Sequence, residues 1–207
     1  MSKSREALER YCLFGGTFDP IHLAHLEIAK AAIEAFDLSR VFFVPAANPP
    51  HKDRALMTAY EDRYRMVELA CASVEKCQPS LLEEGRQRSY TVDTLKRFRC
   101  EHEGSYGLFF LIGADAFAEI ETWKNWKEVL QLTDFIVVSR PGISYGIPEN
   151  ARIHPLENLS LAVASTSIRA RLAKGDPTPE LAPGVRAYIE EKGLYGWRRP
   201  ATITASQ

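Results

Sequence analysis

The 207-residue sequence predicts a doubly wound α/β fold, in which a parallel sheet carries helices on both faces. The first observation behind this prediction is that short apolar runs alternate with amphipathic stretches along nearly the whole chain. The second is that these runs are rich in aromatic and β-branched residues, as expected for strands that are covered on both faces. The third is a composition of 45% apolar and 26% charged residues, which is typical of a globular protein with a full core.

The strands are predicted from apolar runs of four or five residues. These runs lie at 11–14, 41–44, 108–112 and 135–138. A weaker strand is predicted at 80–82.

Helical periodicity fills the segments between the strands. Apolar residues recur at steps of three, four and three from Leu26 to Phe36, which predicts a helix over 21–36 with one buried stripe. Similar patterns predict helices over 60–77, 90–102, 116–132 and 185–192, the last of them ended by Gly193. Ser165 is predicted to be the N-cap of a further helix that stops at Gly175.

The chain is expected to form one domain over 1–207, with its core at about 11–196, because no repeat, low-complexity tract or linker divides it. The segments outside that core are expected to be peripheral. The proline- and glycine-rich stretch 141–148 is predicted to be a long loop, and the tail after Trp197 to be frayed.

The balance of charge limits the partners that we expect. With 26 Lys and Arg against 27 Asp and Glu, the chain lacks the excess of basic residues with which proteins hold nucleic acids or anionic membranes. The four cysteines form no CxxC pair, the first residues lack the apolar core of a signal peptide, and no apolar run is long enough to span a bilayer. We therefore expect a reduced, cytoplasmic protein without nucleic-acid or membrane partners.

The densest motif is GGTFDPIHLAH, from Gly15 to His25, where the first predicted strand leads into the first predicted helix. The two glycines would let a ligand approach the backbone, and the helix start would offer unpaired N–H groups to an anion. His22 and His25 would project from one face of the first helical turn. The motif is neither the GxGxxG fingerprint nor a P-loop. It favours a phosphate site; incidental surface histidines, or a zinc site whose third ligand is not evident, remain alternatives.

A second candidate anion site lies near the C-terminus. Ser165 and Thr166 at a predicted helix start, with Arg169 one turn later, would bring hydroxyls, backbone donors and a guanidinium together. A plain capped helix with an exposed arginine is the alternative. Asp115 follows the strand at 108–112 and would lie at the carboxyl edge of the sheet, either accepting hydrogen bonds from a ribose or capping the next helix.

Other segments admit both a binding and a structural interpretation. Tyr90 and Thr91 open a predicted helix whose first N–H groups could bind a carboxylate, or could belong to an ordinary capping box. Trp123 alone would be a core aromatic. Lys52, in a proline-rich loop after the second strand, could close over phosphates or be solvated.

The chain resembles the bacterial nicotinate-nucleotide adenylyltransferases of the nucleotidylyltransferase superfamily. GGTFDPIHLAHL is similar to the signature GTFDPxHxGH, with Ala24 where the family usually has glycine; Ala46 stands where relatives often have asparagine. Further blocks follow in the family's order over about 11–196, before a closing YIEEKGLY: PPHK (49–52), SYTVDTL (89–95), IGAD (112–115), Trp123, SRPG (139–142) and STSIR (165–169).

This resemblance implies a Rossmann-like fold of nucleotidylyltransferase type. It implies adenylyl transfer from ATP to nicotinate mononucleotide, giving nicotinate adenine dinucleotide and pyrophosphate in NAD biosynthesis. Mg²⁺ would accompany ATP, with no metal held by protein ligands alone. Adenylyltransferases that act on nicotinamide mononucleotide or phosphopantetheine, and a non-catalytic nucleotide-binding module, remain alternatives, and a homo-oligomer is left open.

The resemblance also implies roles for individual residues. The catalytic residues would be His22, His25, Lys52 and Arg169. ATP would be bound by Gly15, Gly16, Thr17, Phe18, His22, His25, Gly113, Asp115, Ser165, Thr166 and Arg169. The mononucleotide would be bound by Thr17, Lys52, Tyr90, Thr91, Trp123 and Arg140, with Trp123 stacked on the pyridine ring and Tyr90 and Thr91 facing the nicotinate carboxylate.

Overall fold

A computed structural model describes residues 8–50, 57–139, 142–157 and 163–198. The strands are β1 (Glu9–Gly16), β2 (Arg40–Pro45), β3 (Cys77–Pro79), β4 (Tyr106–Gly113), β5 (Asp134–Val138) and β6 (Ile153–Leu156). The α-helices are α1 (Leu23–Phe36), α2 (Tyr60–Cys71), α3 (Thr91–Glu101), α4 (Ala114–Ala118), α5 (Trp126–Leu132), α6 (Ser165–Leu172) and α7 (Pro183–Lys192). Short 3₁₀ turns lie at Ile120–Thr122 and Leu194–Gly196.

The strands form one parallel sheet in the order β3-β2-β1-β4-β5-β6. Successive residues of a strand point to opposite faces, so β1 contributes Cys12 and Phe14 to one apolar layer and Leu13 to the other. Helices α1, α2, α6 and α7 cover the first layer, and α3, α4 and α5 cover the second. This arrangement confirms the predicted doubly wound α/β class.

The predicted strands at 11–14, 41–44, 108–112 and 135–138 are confirmed as parts of β1, β2, β4 and β5. β6 was not among the predicted strands, because it is short and contains Pro155. A proline lacks an N–H donor and is tolerated in a strand at the edge of the sheet, which is where β6 lies.

The prediction is wrong around β3. The helix expected over 60–77 ends at Cys71, and the strand lies at Cys77–Pro79 rather than at 80–82. Lys76, with φ 64°, turns the chain, and its carbonyl accepts a hydrogen bond from the Val41 N–H at 2.8 Å. This places Cys77 beside Val41 in the sheet. Pairing with β2, a distant segment, therefore decides the boundary.

The single helix predicted over 116–132 is also wrong. The chain forms α4 and a 3₁₀ turn, becomes extended at Trp123 (φ −75°, ψ 147°), and re-enters a helix after Asn125 in the left-handed region (φ 52°). Asparagine adopts this region more easily than most residues, since its short polar side chain can bond locally. The break removes Trp123 from a helix face.

The remaining helices agree with the sequence more closely. Helices α1, α3 and α7 occur where they were predicted, and Gly193 ends α7 with φ 62°. Gly175, with φ 75°, donates its N–H to the Leu172 carbonyl after α6, as a stop signal should. Ser165, however, is not an N-cap: Ala164 occupies that position, and Ser165 begins the helix.

The other expectations concern loops, membranes and cysteines. Residues 142–148 contain neither helix nor strand, and the tail from residue 199 onward lies outside the described residues. No helix in the described part of the chain is long and apolar enough to cross a bilayer. The four cysteines are free thiols.

Gly16 is required by packing, which gives a testable prediction. A Cβ at this position would lie 2.7 Å from the Phe18 ring, inside van der Waals contact. We expect Gly16→Ala to lower the free energy of unfolding by about 1–3 kcal/mol, measured by urea denaturation. Gly146→Ala is the control, because nothing lies within 4 Å of its Cβ position. Equal stability of the two variants would contradict this assignment.

Candidate active site

A cavity of about 570 Å³ opens at the carboxyl ends of β1 and β4. The strand order reverses between these two strands, and α/β proteins bind ligands at such switch points. The cavity brings together many of the residues that the sequence nominated. They are Gly15 and Gly16 at the end of β1, Thr17 directly after it, Gly113 at the end of β4, Tyr90 and Thr91 at the start of α3, and Trp123.

The segment from the last two residues of β1 into the following loop, which we call the cradle loop (15–20), is held in place by Arg63 of α2. Arg63 as a whole is only 1% exposed. It donates to three backbone carbonyls: Thr17 at 2.8 Å, Thr58 at 3.0 Å and Ala47 at 3.4 Å. Burial lowers the Arg63 pKa, and the nearby Asp19 carboxylate opposes this shift.

Asp19 joins the cradle loop to the C-terminal segment. Its carboxylate accepts hydrogen bonds from the Tyr195 hydroxyl at 2.7 Å and from the Thr58 N–H at 3.3 Å. Its carbonyl accepts one from Arg169 Nη1 at 2.7 Å. Burial, followed by the Asp19 charge, raises the pKa of Tyr195, which therefore remains a neutral donor.

Sequence reasoning missed Arg63, Asp19 and Tyr195 as site-shaping residues. Asp19 and Tyr195 each lie in a motif that had been noticed, GGTFDP and YIEEKGLY. The only sign of Arg63 in the sequence is that a charged residue stands at a position where the predicted helix should be buried. None of the three roles is visible without the long-range contacts.

The two histidines lie together at the start of α1. Their rings stack with centroids 3.8 Å apart, and the backbone N–H of His22 donates to the ring atom Nδ1 of His25 at 3.2 Å. A neutral His25 therefore carries its proton on Nε2, which makes that atom a donor. The helix start offers fewer backbone donors than expected, because the Leu23 N–H already donates to the Glu180 carbonyl at 2.7 Å.

His22 is 5% exposed, and its Nδ1 atom has no hydrogen-bond partner among the described residues. Burial lowers its pKa to about 4, while the charge of Glu180 acts in the opposite direction. His22 is therefore neutral at pH 7. It can contribute hydrogen bonds to an anion but not a full positive charge.

The C-terminal anion motif contacts the cradle loop directly. Ser165 donates its hydroxyl hydrogen to the Pro20 carbonyl at 3.1 Å instead of capping α6. Arg169 Nη2 donates to the Thr166 hydroxyl at 3.3 Å, while Nη1 holds the Asp19 carbonyl. The two predicted anion sites therefore form one cluster, although Ser165 and Arg169 also hold the loop in place.

The end of the cavity near α3 is built around a helix start. Tyr90 is the N-cap of α3 and Thr91 its first residue, as predicted, without a side-chain cap hydrogen bond. The first N–H groups of a helix have no intrahelical partner and favour an anion. Trp123 is half-buried, with its ring edge-to-face to Phe110, and lines the same cavity.

Glu83 fixes the relative position of α3 and the loop after β2. It is 7% exposed, and its carboxylate accepts hydrogen bonds from the Thr94 hydroxyl at 2.7 Å and from the Ala47 N–H at 3.2 Å. Ala47 thus contacts both Glu83 and Arg63. Glu83 is another site-shaping residue that the sequence did not single out.

The remaining nominated residues are less central. Phe18 is 3% exposed and packs against Phe14 and Phe43, so only its backbone could face a ligand. Asp115 is exposed on α4; the N-cap of that helix is Gly113, so the capping alternative for Asp115 is wrong. Lys52 and Arg140 lie outside the described residues.

Among the described residues, no group of three or more His, Cys, Asp or Glu side chains is placed to hold a metal ion. In that part of the chain, the zinc alternative for His22 and His25 therefore gains no third ligand.

Replacing Arg63 tests its structural role. Arg63→Met would leave three carbonyls without their donor, so we expect a loss of about 3 kcal/mol in the free energy of unfolding, measured by urea denaturation. Arg65→Met, on the same helix, removes only an exposed ion pair to Glu68 and should change stability by less than about 0.5 kcal/mol. Similar losses in both variants would refute the assignment.

The burial of His22 predicts a pH dependence of stability. Its folded pKa of about 4 lies below the ordinary value of 6.5, so between these pH values the unfolded chain binds more protons. Stability should therefore fall as the pH decreases from 6.5 to 4, by up to about 2–3 kcal/mol from this residue. Denaturation of His22→Asn across that range should show a shallower slope; an unchanged slope would contradict the prediction.

Comparison with known proteins gives the family. A cytidylyltransferase-like family model matches residues 13–171. A Solibacter usitatus protein named "Probable nicotinate-nucleotide adenylyltransferase" is 46% identical, over 90% of this chain and 99% of its own length. A Shouchella clausii protein of the same name is 40% identical, over 91% of this chain and 98% of its own length. The Plasmodium falciparum nicotinic acid mononucleotide adenylyltransferase complexed with NaAD has a TM-score of 0.75 at 22% identity, over 92% of this chain and 98% of that one, which shows the shared fold. The chain therefore belongs to the nicotinate-nucleotide adenylyltransferase family of cytidylyltransferase-like proteins.

Proposed function

We propose that this protein transfers the adenylyl group of ATP to nicotinate mononucleotide, yielding nicotinate adenine dinucleotide and pyrophosphate. One observation carries the proposal: a single cavity joins the glycine cradle of β1 to the α3 N-terminus and Trp123. A phosphate, a carboxylate and a flat ring would each meet a matching surface there. The names of the relatives support the same acceptor. The free cysteines are consistent with a cytoplasmic location.

The reaction requires alignment more than activation. The 5′-phosphate of the acceptor is already ionised near neutral pH, so one of its oxygens can attack the α-phosphorus of ATP directly. The new P–O bond forms as the bond from the α-phosphorus to the bridging oxygen breaks, and pyrophosphate carries away the electron pair. The protein holds the two anions in line and offsets charge in the transition state.

The histidine cluster is proposed to stabilise that transition state. His25 would donate from Nε2 to an α-phosphate oxygen, because its Nδ1 atom accepts the His22 N–H. His22 would contribute a neutral hydrogen bond beside it. Arg169 and Thr166 would contact the outer phosphates, and Lys52 would assist from the loop after β2.

The nucleoside of ATP is proposed to lie along the carboxyl ends of β1 and β4. Gly15, Gly16 and Thr17 would contact the nucleotide through backbone groups, with Phe18 contributing its backbone and Ser165 its hydroxyl oxygen. Gly113 and Asp115 would contact the ribose and adenine. A Cβ at Gly113 would lie 2.6 Å from Asp115 Oδ1, so the carboxylate lies directly over this backbone position.

The acceptor is proposed to occupy the α3 side of the cavity. The indole of Trp123 would stack on the pyridine ring, and the N–H groups at Tyr90 and Thr91 would bind its carboxylate. Thr17 and Arg140 would contact the remainder of the mononucleotide. A carboxamide would present its NH₂ group to those N–H donors, which is the kind of mismatch that supports strong discrimination.

Mg²⁺ is proposed to enter as part of MgATP. The donors described at the site are imidazole, hydroxyl, guanidinium and backbone N–H groups, which suit phosphate oxygens. Mg²⁺ prefers oxygen ligands, which phosphates and water supply. The bound ion would neutralise charge on the triphosphate.

Pyrophosphate release tests the proposed reaction. Purified protein with MgATP should turn over nicotinate mononucleotide far faster than nicotinamide mononucleotide or phosphopantetheine, and a chelator should abolish the turnover. Preference for another acceptor would keep the adenylyl transfer but overturn the assignment of Tyr90, Thr91 and Trp123. Nucleotide binding without turnover of any acceptor would favour a non-catalytic module.

Replacing His25 separates catalysis from binding. His25→Ala should lower kcat by about 10²–10³-fold, because a donor to the transition state is lost, with KM for nicotinate mononucleotide nearly unchanged. His102→Ala is the control, since that ring stacks on Phe98 at the C-terminal end of α3, away from the cavity. A raised KM with normal kcat would remove His25 from the chemical step.

A further inference from the structure

We propose that Lys124 is a specificity-determining residue, whose ammonium group attracts the carboxylate of the acceptor's pyridine ring at the mouth of the cavity. The inference rests on the proposed function. It adds a side-chain cation to the recognition by backbone groups at the α3 N-terminus.

The position of Lys124 follows from the break between the 3₁₀ turn and α5. Lys124 lines the cavity next to Trp123. Its Nζ atom lies 4.4 Å from the centroid of the Tyr90 ring and 3.1 Å from Asp93 Oδ2. Both partners belong to the first turn of α3 or its N-cap, so the ammonium group lies beside the helix start that offers its N–H groups to an anion.

The charges around the cavity give this position its importance. Lys124 is the one cation in the described lining, which also contains Glu83 and Glu119. Glu83 is occupied by its hydrogen bonds to Thr94 and Ala47, while Glu119 is exposed. Without Lys124, the described lining would carry only negative side-chain charge, which opposes the entry of a carboxylate.

The ammonium group is available for a ligand. The side chains of Lys124 and Asp93 are 43% and 38% exposed, and an ion pair so open to water is weak. An ammonium group has three donors, so Lys124 can retain Asp93 and also contact a carboxylate. A neutral carboxamide in the same place gains little from the positive charge, which makes Lys124 a discriminator between nicotinate and nicotinamide.

The test compares kcat/KM for nicotinate and nicotinamide mononucleotides, with saturating MgATP, in the wild type and three variants. Lys124→Gln should lower the value for the nicotinate acceptor on the order of fivefold, as expected for an exposed charge pair, and change that for the nicotinamide acceptor by less than about twofold. Lys124→Arg keeps the positive charge and should retain most of the preference for the nicotinate acceptor over the nicotinamide acceptor. Lys127→Gln is the matched control, because its ammonium lies over Trp126 and outside the described lining.

The outcomes are distinguishable. If Lys124→Gln lowers kcat/KM equally for both acceptors, the ratio of the two values is unchanged and the proposal is overturned. Lys124 would then act only by holding Tyr90 and Asp93 in place. Thermal melting of each variant monitors folding independently. If the wild type fails to turn over nicotinate mononucleotide, the proposed function fails and the assignment of Lys124 fails with it. Normal wild-type turnover with an unchanged ratio overturns the Lys124 assignment alone.

Discussion

The buried guanidinium of Arg63 is the constraint on which the cradle loop depends. A charge removed from water must be compensated, and here backbone carbonyls from the cradle loop, from the loop after β2 and from the segment just before α2 provide that compensation. Each carbonyl also needs the donor, since a buried acceptor without a partner is costly. The guanidinium needs the carbonyls and the carbonyls need the guanidinium, so all of these groups are paired only when the three segments have one relative arrangement. The nearby Asp19 carboxylate also compensates the charge of Arg63, which further restricts the position of the cradle loop.

Around that constraint, the site is assembled from parts of the chain that are far apart in sequence. Glu83 extends the network to α3, Arg169 and Ser165 extend it to α6, and Tyr195 extends it to the last described turn. The polar network reaches the cavity at Glu83, and the described cavity wall also contains the aromatic residues Phe14, Tyr90, Phe110 and Trp123. An in-line reaction between two anions requires both a site whose segments are held in fixed positions and hydrogen-bond donors that can reach the anions.

The sequence predicted the layers and the central strands because apolar runs covered on both faces leave a local signature, as β1 and β4 show. It also identified several of the residues that line the cavity, from the glycines of β1 to Trp123. It failed where pairing with a distant strand decides a boundary. β3 begins at Cys77 because that residue pairs with Val41 of β2. β6 can contain a proline because it lies at the edge of the sheet. The broken helix before α5 depends on a left-handed Asn125, which periodicity cannot register. Arg63 and Glu83 were missed because burial of a charge is visible only once its partners are in place.

The bond between Tyr195 and Asp19 has a consequence for synthesis on the ribosome. The two residues are 176 positions apart. At about 5–20 residues per second, the motif that emerges first waits on the order of 10–30 s for the residue that completes its support. During that interval the cradle loop exists without its C-terminal partner, and a chain that terminates before the YIEEKGLY segment never obtains it. Translation through Tyr195 is therefore a condition for a fully supported cradle loop, even though the motif that contains this loop is complete at His25.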